Sequence, residues 1–171
     1  DYWDAIGIKE NAGRFEQAQK VEENVEYISV NVKEVYAILN NGELYRRRGT
    51  IYEDVFDDEG SCINGAEKIL DQVKFMSTPA VYYTVLKTDG SVWTWGDNFS
   101  GRLGNGTLKN SNMPEQVIDN AKQVSTSMTH AAVLKNDGTL WVWGDNKYGE
   151  LGDGTTKCSV VPKEIKVGGS G

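Results

Sequence analysis

The sequence of 171 residues holds a single histidine, His130, and only two cysteines, Cys62 and Cys158. One histidine allows no His pair, and it excludes most catalytic triads built on a histidine base. Two cysteines and one histidine fall short of the four N/S ligands of a structural zinc site. No apolar run approaches the roughly 20 residues needed to cross a bilayer, and no basic-then-apolar signal opens the chain, so membrane insertion is not expected. Positive charge is also scarce: 18 Lys and Arg stand against 25 Asp and Glu, a formal net charge of −7. A polyanion would meet a repelling field over most of such a surface, and nucleic acid is not an expected partner.

What is present points to a folded chain. The composition is 39% hydrophobic and 10% aromatic, with five Trp, eight Tyr and 19 Gly against three Pro. That is too apolar and too aromatic for disorder. The length suits one compact domain with a sizeable core. Internal repetition is plain. The segment VYYTVLKTDGSVWTWGDNFSGRLGNGT, from Val81, returns from Thr129 as THAAVLKNDGTLWVWGDNKYGELGDGT. Gly90 matches Gly138, Trp95 matches Trp143, Leu103 matches Leu151 and Pro114 matches Pro162, all at a constant spacing of 48. A weaker copy surrounds Gly42 in the run from Ile38 to Tyr45, and the run Ala18 to Val25 aligns with Pro114 to Ala121. Repeats of this length are the mark of stacked structural modules.

Each copy reads as four short strands. Gln123-Val124-Ser125 leads to Ala131-Ala132-Val133-Leu134, and an Asn136-Asp137-Gly138 turn follows, with Thr88-Asp89-Gly90 in the copy before. Asp-Gly between apolar runs is a strong hairpin signal, because glycine tolerates the positive φ that such turns require. The third strand carries Trp at alternate positions, Trp93 and Trp95 or Trp141 and Trp143. A period of two puts both rings on one face, where they are expected to form the core. A glycine-rich loop then passes Pro114 or Pro162 to a fourth strand around Val117 or Ile165. Arg14 to Glu23 could pass for a helix, but its alignment with a fourth strand outweighs propensity. Four antiparallel strands per repeat is the arithmetic of a propeller blade.

The run from Leu134 to Thr155, LKNDGTLWVWGDNKYGELGDGT, resembles the regulator-of-chromosome-condensation repeat. His130 stands where that family often has one. In copy one the second Trp is replaced by Arg47 and the following glycine by Arg48, and the glycine-rich loop becomes the acidic run from Glu53 to Glu59. The resemblance implies a seven-bladed propeller, or a near relative, acting as a binding platform. Members of the family include a guanine-nucleotide exchange factor for a small GTPase, a bacterial inhibitor of β-lactamase, and bacterial surface or secreted repeat proteins. An extracellular or cell-surface bacterial setting is accordingly favoured.

The expected fold is all-β, a partial β-propeller of four-stranded antiparallel blades: three blades plus an N-terminal half-blade. Residues 1–24 are the remnant of a preceding blade, 25–72, 73–120 and 121–167 are blades, and 168–171 form a linker or tag. Three copies and a remnant do not close a ring, so further blades are expected from the rest of a longer protein or from another chain. Cys62 and Cys158 occupy the same blade position two blades apart, too far to bridge.

No catalytic constellation, cofactor or metal site is expected. Gly101 to Thr107 lacks the lysine and the following helix of a phosphate loop. The acidic run 53–59 lacks EF-hand spacing, and a solvated loop is the favoured reading over a Ca²⁺ site. In an up-and-down blade the loop between strands one and two and that between strands three and four emerge on the same face. Along that rim Tyr82, Phe99, Arg102, Lys147 and Tyr148 vary between copies while Gly and Trp stay fixed, and aromatics and Arg dominate binding hot spots. These five are the candidate residues of a non-catalytic module that binds a protein partner. The alternative is a lectin-like propeller stacking sugars on the same rings, with an exchange factor or an enzyme less favoured. A third reading has the five side chains merely cover the rim.

Overall fold

The computed structural model describes residues 24–30, 34–48, 66–79 and 81–166. They form twelve strands in three four-stranded antiparallel sheets. The first sheet holds β1 (Val25–Val30), β2 (Glu34–Leu39), β3 (Leu44–Arg48) and β4 (Glu67–Leu70), in that order. The second holds β5 (Val73–Ser77), β6 (Tyr82–Lys87), β7 (Val92–Gly96) and β8 (Ser111–Ile118). The third holds β9 (Ala121–Thr126), β10 (His130–Lys135), β11 (Leu140–Gly144) and β12 (Ser159–Ile165). The only helical piece among the described residues is a 3-10 turn at Phe99–Gly101. The all-β propeller blades expected from the sequence are therefore present. The remnant before Asn24, the Arg14–Glu23 segment, the acidic run 53–59 and Cys62 lie outside the described residues.

The middle hairpins follow from local chemistry. Gly90 and Gly138 adopt φ of 84° and 86°, the left-handed conformation that L side chains disfavour. Each glycine N–H closes the turn on the carbonyl of Lys87 or Lys135, both at 3.1 Å. The aspartate just before each glycine finishes the turn. Asp89 accepts from the Ser91 N–H at 2.9 Å and the Ser91 hydroxyl at 2.6 Å, and Asp137 does the same with Thr139 at 2.9 and 2.7 Å. These bonds hold both carboxyls below the ordinary aspartate range. The registers that result are equivalent, Tyr83 opposite Trp95 and Ala131 opposite Trp143.

The core lies between sheets. Tyr36, Ile38 and Leu44 of the first blade pack with Val73, Met76, Tyr83, Val85 and Trp95 of the second. Leu86, Val92 and Ile118 of the second pack with Ala121, Val124, Ala131, Val133 and Trp143 of the third. Large rings suit this position, since each buries about 150 to 250 Å². Trp95 and Trp143 are fully buried, whereas Trp93 and Trp141 pack against the same clusters half-buried. The outer pair is finished alike in both blades: each indole N–H donates at 2.9 Å to Ser91 or Thr139, and Lys87 or Lys135 stands over the ring. Backbone bonds stitch the blades as well. The N–H of Val73 reaches the Gly42 carbonyl and that of Ala121 the Gly90 carbonyl, both at 2.8 Å.

Candidate functional site

The β5–β6, β7–β8, β9–β10 and β11–β12 loops emerge at one end of the stack. The two long ones are each built around a buried asparagine. The Asn98 amide donates to the carbonyls of Thr107 at 2.9 Å and Lys109 at 3.0 Å and to Asn105 Oδ1 at 3.2 Å, while its oxygen accepts the Leu103 N–H at 3.0 Å. Asn146 repeats the pattern with Thr155, Lys157, Asp153 and Leu151. A carboxamide offers both donors and an acceptor, so one side chain replaces the ladder that these loops lack. The loops are thereby rigid platforms, not slack connections.

The five expected rim residues divide into two groups. Phe99 is 67% exposed, Tyr148 is 81% exposed and Lys147 is exposed, with its ammonium 5.4 Å from the Tyr148 ring centre. Tyr82 and Arg102 are instead enclosed, at 0% and 8% exposure. The Arg102 guanidinium donates to the carbonyls of Phe99 at 3.1 Å and Met128 at 2.9 Å, pairs with Asp97 at 2.9 Å, and lies 5.7 Å from the rings of both Tyr82 and Phe99. The Tyr82 hydroxyl donates to the Ser127 carbonyl at 2.7 Å, and burial pushes its pKa up to about 12. Both side chains cross from the second blade to a loop of the third. They hold the rim in shape and do not present themselves on it, because a neighbouring blade covers them.

Two exposed side chains that sequence reasoning did not single out stand on the same end, Val81 at 55% and Met128 at 62%. Both vary between copies, Val81 against Thr129 and Met128 against Ala80, so the signal that marked the other rim residues could have found them. His130 sits at the foot of β10 with Nδ1 2.9 Å from the Ser127 hydroxyl. Cys158 is exposed. Among the described residues no group of three His, Cys, Asp or Glu side chains is placed to hold a metal ion.

A second polar cluster, also missed from sequence, lies at the joint of the first two blades. Glu34 accepts from the Tyr36 hydroxyl at 3.0 Å and from the Tyr83 hydroxyl, and Arg46 bonds Glu67 at 2.6 Å with Glu34 at 4.0 Å. The Tyr36 and Tyr83 rings are 4.9 Å apart and Tyr83 stacks on Trp95 at 5.2 Å. Burial, with the Glu34 carboxylate close by, raises the pKa of both phenols. A cavity of about 220 Å³ adjoins Glu34, Arg46, Tyr83 and Trp95. The arrangement joins blades through buried polar contacts.

Comparison with known proteins agrees with the architecture. The regulator of chromosome condensation (RCC1) repeat model matches residues 89–134 and 137–170, and a second RCC1 repeat model matches 121–150. No curated protein matches the chain. Among solved structures, Prp20p from Saccharomyces cerevisiae is similar with a TM-score of 0.64 and 16% identity, over 85% of this chain and 39% of that one. The same yeast protein bound to Kap60 gives a TM-score of 0.63 at 18% identity, over 85% and 37%. Human WBSCR16 gives a TM-score of 0.62 at 22% identity, over 84% and 40%. The chain thus spans about 40% of the length of these structures. Residues 89–170, just under half of the chain, carry regulator-of-chromosome-condensation repeats.

Proposed function

We propose that this chain is an interaction module whose loop-bearing end binds a protein partner. The observation that carries the reading is the division of labour on the rim. Val81, Phe99, Met128 and Tyr148 are exposed on loops of one end, while the side chains beneath them, Tyr82 and Arg102, are locked in place. Rigid anchors that project apolar surface lose little conformational entropy on binding, which is the pattern of interface hot spots. Related propellers give the reading a precedent. Prp20p is described by its binding to Gsp1p and histones, and yeast RCC1 has been seen bound to Kap60. We further propose that the blades divide at 25–72, 73–120 and 121–167, and that the ring is completed by blades beyond these three, within a longer repeat protein. The role is binding and not catalysis.

The test compares wild-type chain with Phe99→Ala and Tyr148→Ala in affinity capture of protein partners, followed by titration of the captured protein. Both residues are exposed, so the fold should survive. Each truncation is expected to weaken binding by about 1 to 3 kcal/mol, roughly 5- to 150-fold. A partner held with unchanged affinity by both variants would refute the assignment of this end. Saturable binding to a glycan array, lost in the same variants and with no protein captured, would replace it by the sugar-binding reading.

A further inference from the structure

The second and third blades meet where the β7–β8 loop crosses onto β12, the edge strand of the third sheet. A Cβ built on Gly104 would stand 2.7 Å from Cδ1 and Nε1 of Trp143, and the Trp143 N–H donates to the Arg102 carbonyl at 3.0 Å. The indole therefore lies against loop backbone that only glycine leaves open at that distance. Two residues further on, the Gly106 N–H donates to the Val160 carbonyl at 2.8 Å, and a Cβ on Gly106 would stand 3.8 Å from Val161 Cγ1. The crossing brings Leu108 and Lys109 of the second-blade loop beside Val161 and the end of the third-blade loop, which carries Lys157.

The side chains around this crossing have no duty in the core. Leu108 is 63% exposed and Val161 48% exposed. The third blade has Thr156 where the second has Leu108, so the loop does not need an apolar residue there to fold. Lys109 and Lys157 are equivalent in successive copies, and both are exposed. Neither pairs with a carboxylate among the described residues. Asp153 and Glu115 do not compensate them, because Asp153 is paired with Lys163 and Glu115 accepts from Asn105 at 3.0 Å. The backbone beneath both lysines is fixed: the Lys109 carbonyl accepts from Asn98 at 3.0 Å and the Lys157 carbonyl from Asn146 at 3.1 Å. The chain as a whole carries a net charge of −7. Charges beyond about 8 Å are largely screened at physiological salt, so a ligand at this crossing feels the two local ammonium groups more than distant carboxylates.

We propose that Leu108, Val161, Lys109 and Lys157 form a docking surface for an acidic peptide segment that carries apolar side chains. Its apolar side chains cover Leu108 and Val161, and its carboxylates pair with the two lysines. The charge selects the occupant. A basic segment would set like charges against the lysines, and an uncharged apolar one would desolvate both ammonium groups without a partner. Exposed lysine pairs contribute little each, so the contact is weak and reversible. This surface shares no residue with the rim of Val81, Phe99, Met128 and Tyr148, and either reading can fail without the other.

The test is a nuclear magnetic resonance titration of the isotopically labelled chain with short synthetic peptides. One alternates aspartate with leucine, one aspartate with serine, and one lysine with leucine. The aspartate–leucine peptide should give saturable shifts at the amides of Thr107–Lys109 and Lys157–Val161, and none at Phe99 or Tyr148. Serine in place of leucine, or lysine in place of aspartate, should weaken binding about 10-fold or more. Lys109→Glu combined with Lys157→Glu should weaken the aspartate–leucine peptide by a similar factor of about 10 and let the lysine–leucine peptide bind instead. All the substituted side chains are exposed, and unchanged amide positions elsewhere verify the fold. Leu108→Thr, which installs the residue of the third blade, should weaken binding about 3- to 10-fold. No shifts at those amides, shifts centred on Phe99 and Tyr148, equal affinity for the aspartate–serine peptide, or affinity unchanged by the double charge reversal would each overturn the proposal. Binding to phosphatidylglycerol vesicles that the double variant loses, with no shifts from any peptide, would overturn it in favour of an anionic lipid surface.

Discussion

Replacing Gly104 by alanine perturbs one contact in a calculable way, and the chain contains its own control. Gly104 adopts φ of 71°, and its new methyl would fall 2.7 Å from the Trp143 ring. The left-handed conformation costs a residue with a Cβ about 1 to 2 kcal/mol. Overpacking against a fully buried indole adds about 1 to 3 kcal/mol, because Trp143 has no free volume to retreat into. The sum is about 2 to 5 kcal/mol. Gly152 adopts φ of 68° with nothing described within 4 Å, so Gly152→Ala should cost only the conformational part, about 1 to 2 kcal/mol. Urea unfolding of both variants, followed by far-ultraviolet circular dichroism, measures the difference. Midpoints lowered equally by the two substitutions would refute the claim that the glycine loop of one blade is shaped to the tryptophan of the next.

Three further outcomes are expected. Trp143→Phe removes a bonded N–H as well as ring volume, whereas the Trp95 N–H has no acceptor among the described residues; Trp143→Phe should therefore cost about 1 kcal/mol more than Trp95→Phe in the same urea assay. Asn98→Ala orphans the Leu103 N–H and the carbonyls of Thr107 and Lys109, and a loss of about 2 to 4 kcal/mol is expected, read as a lowered thermal midpoint. Alkaline pH should unfold the chain through Tyr82, whose pKa burial raises from 10.0 to about 12. The unfolded phenol gives up its proton first, so stability is full below pH 10 and falls by about 2 to 3 kcal/mol as pH rises through 12. Tyr82→Phe should flatten that part of the slope, which urea midpoints at several pH values would show.

Much of the scaffold was legible because it depends on short-range rules repeated in register. Asp89-Gly90 and Asp137-Gly138 fix their hairpins through their own side chains and φ values, and alternation alone places Trp93 with Trp95 and Trp141 with Trp143. The rim was only half legible. Variation between copies is a sign of display at Phe99, Lys147 and Tyr148, which are exposed. The position occupied by Glu34 and Tyr82 in the first two copies varies for another reason: it lies at a joint between blades, where Glu34 accepts from Tyr83 and Tyr82 donates to the Ser127 carbonyl. Arg102 varies likewise because it bridges to the Met128 carbonyl, 26 residues away. Pairings across a joint involve partners that no periodicity within one copy can name. The Glu34, Tyr36, Tyr83 and Arg46 cluster was hidden for the same cause.

The central claim, that the third blade stacks on the second by seating Trp143 in the second blade's glycine loop, is tested most directly by nuclear Overhauser contacts from the Trp143 indole. Contacts from its Hδ1 and Hε1 to the Gly104 Hα protons, with an indole N–H slow to exchange with solvent, are the expected result. An indole N–H that exchanges as fast as an exposed one, and contacts confined to the residues of its own blade, would contradict the account.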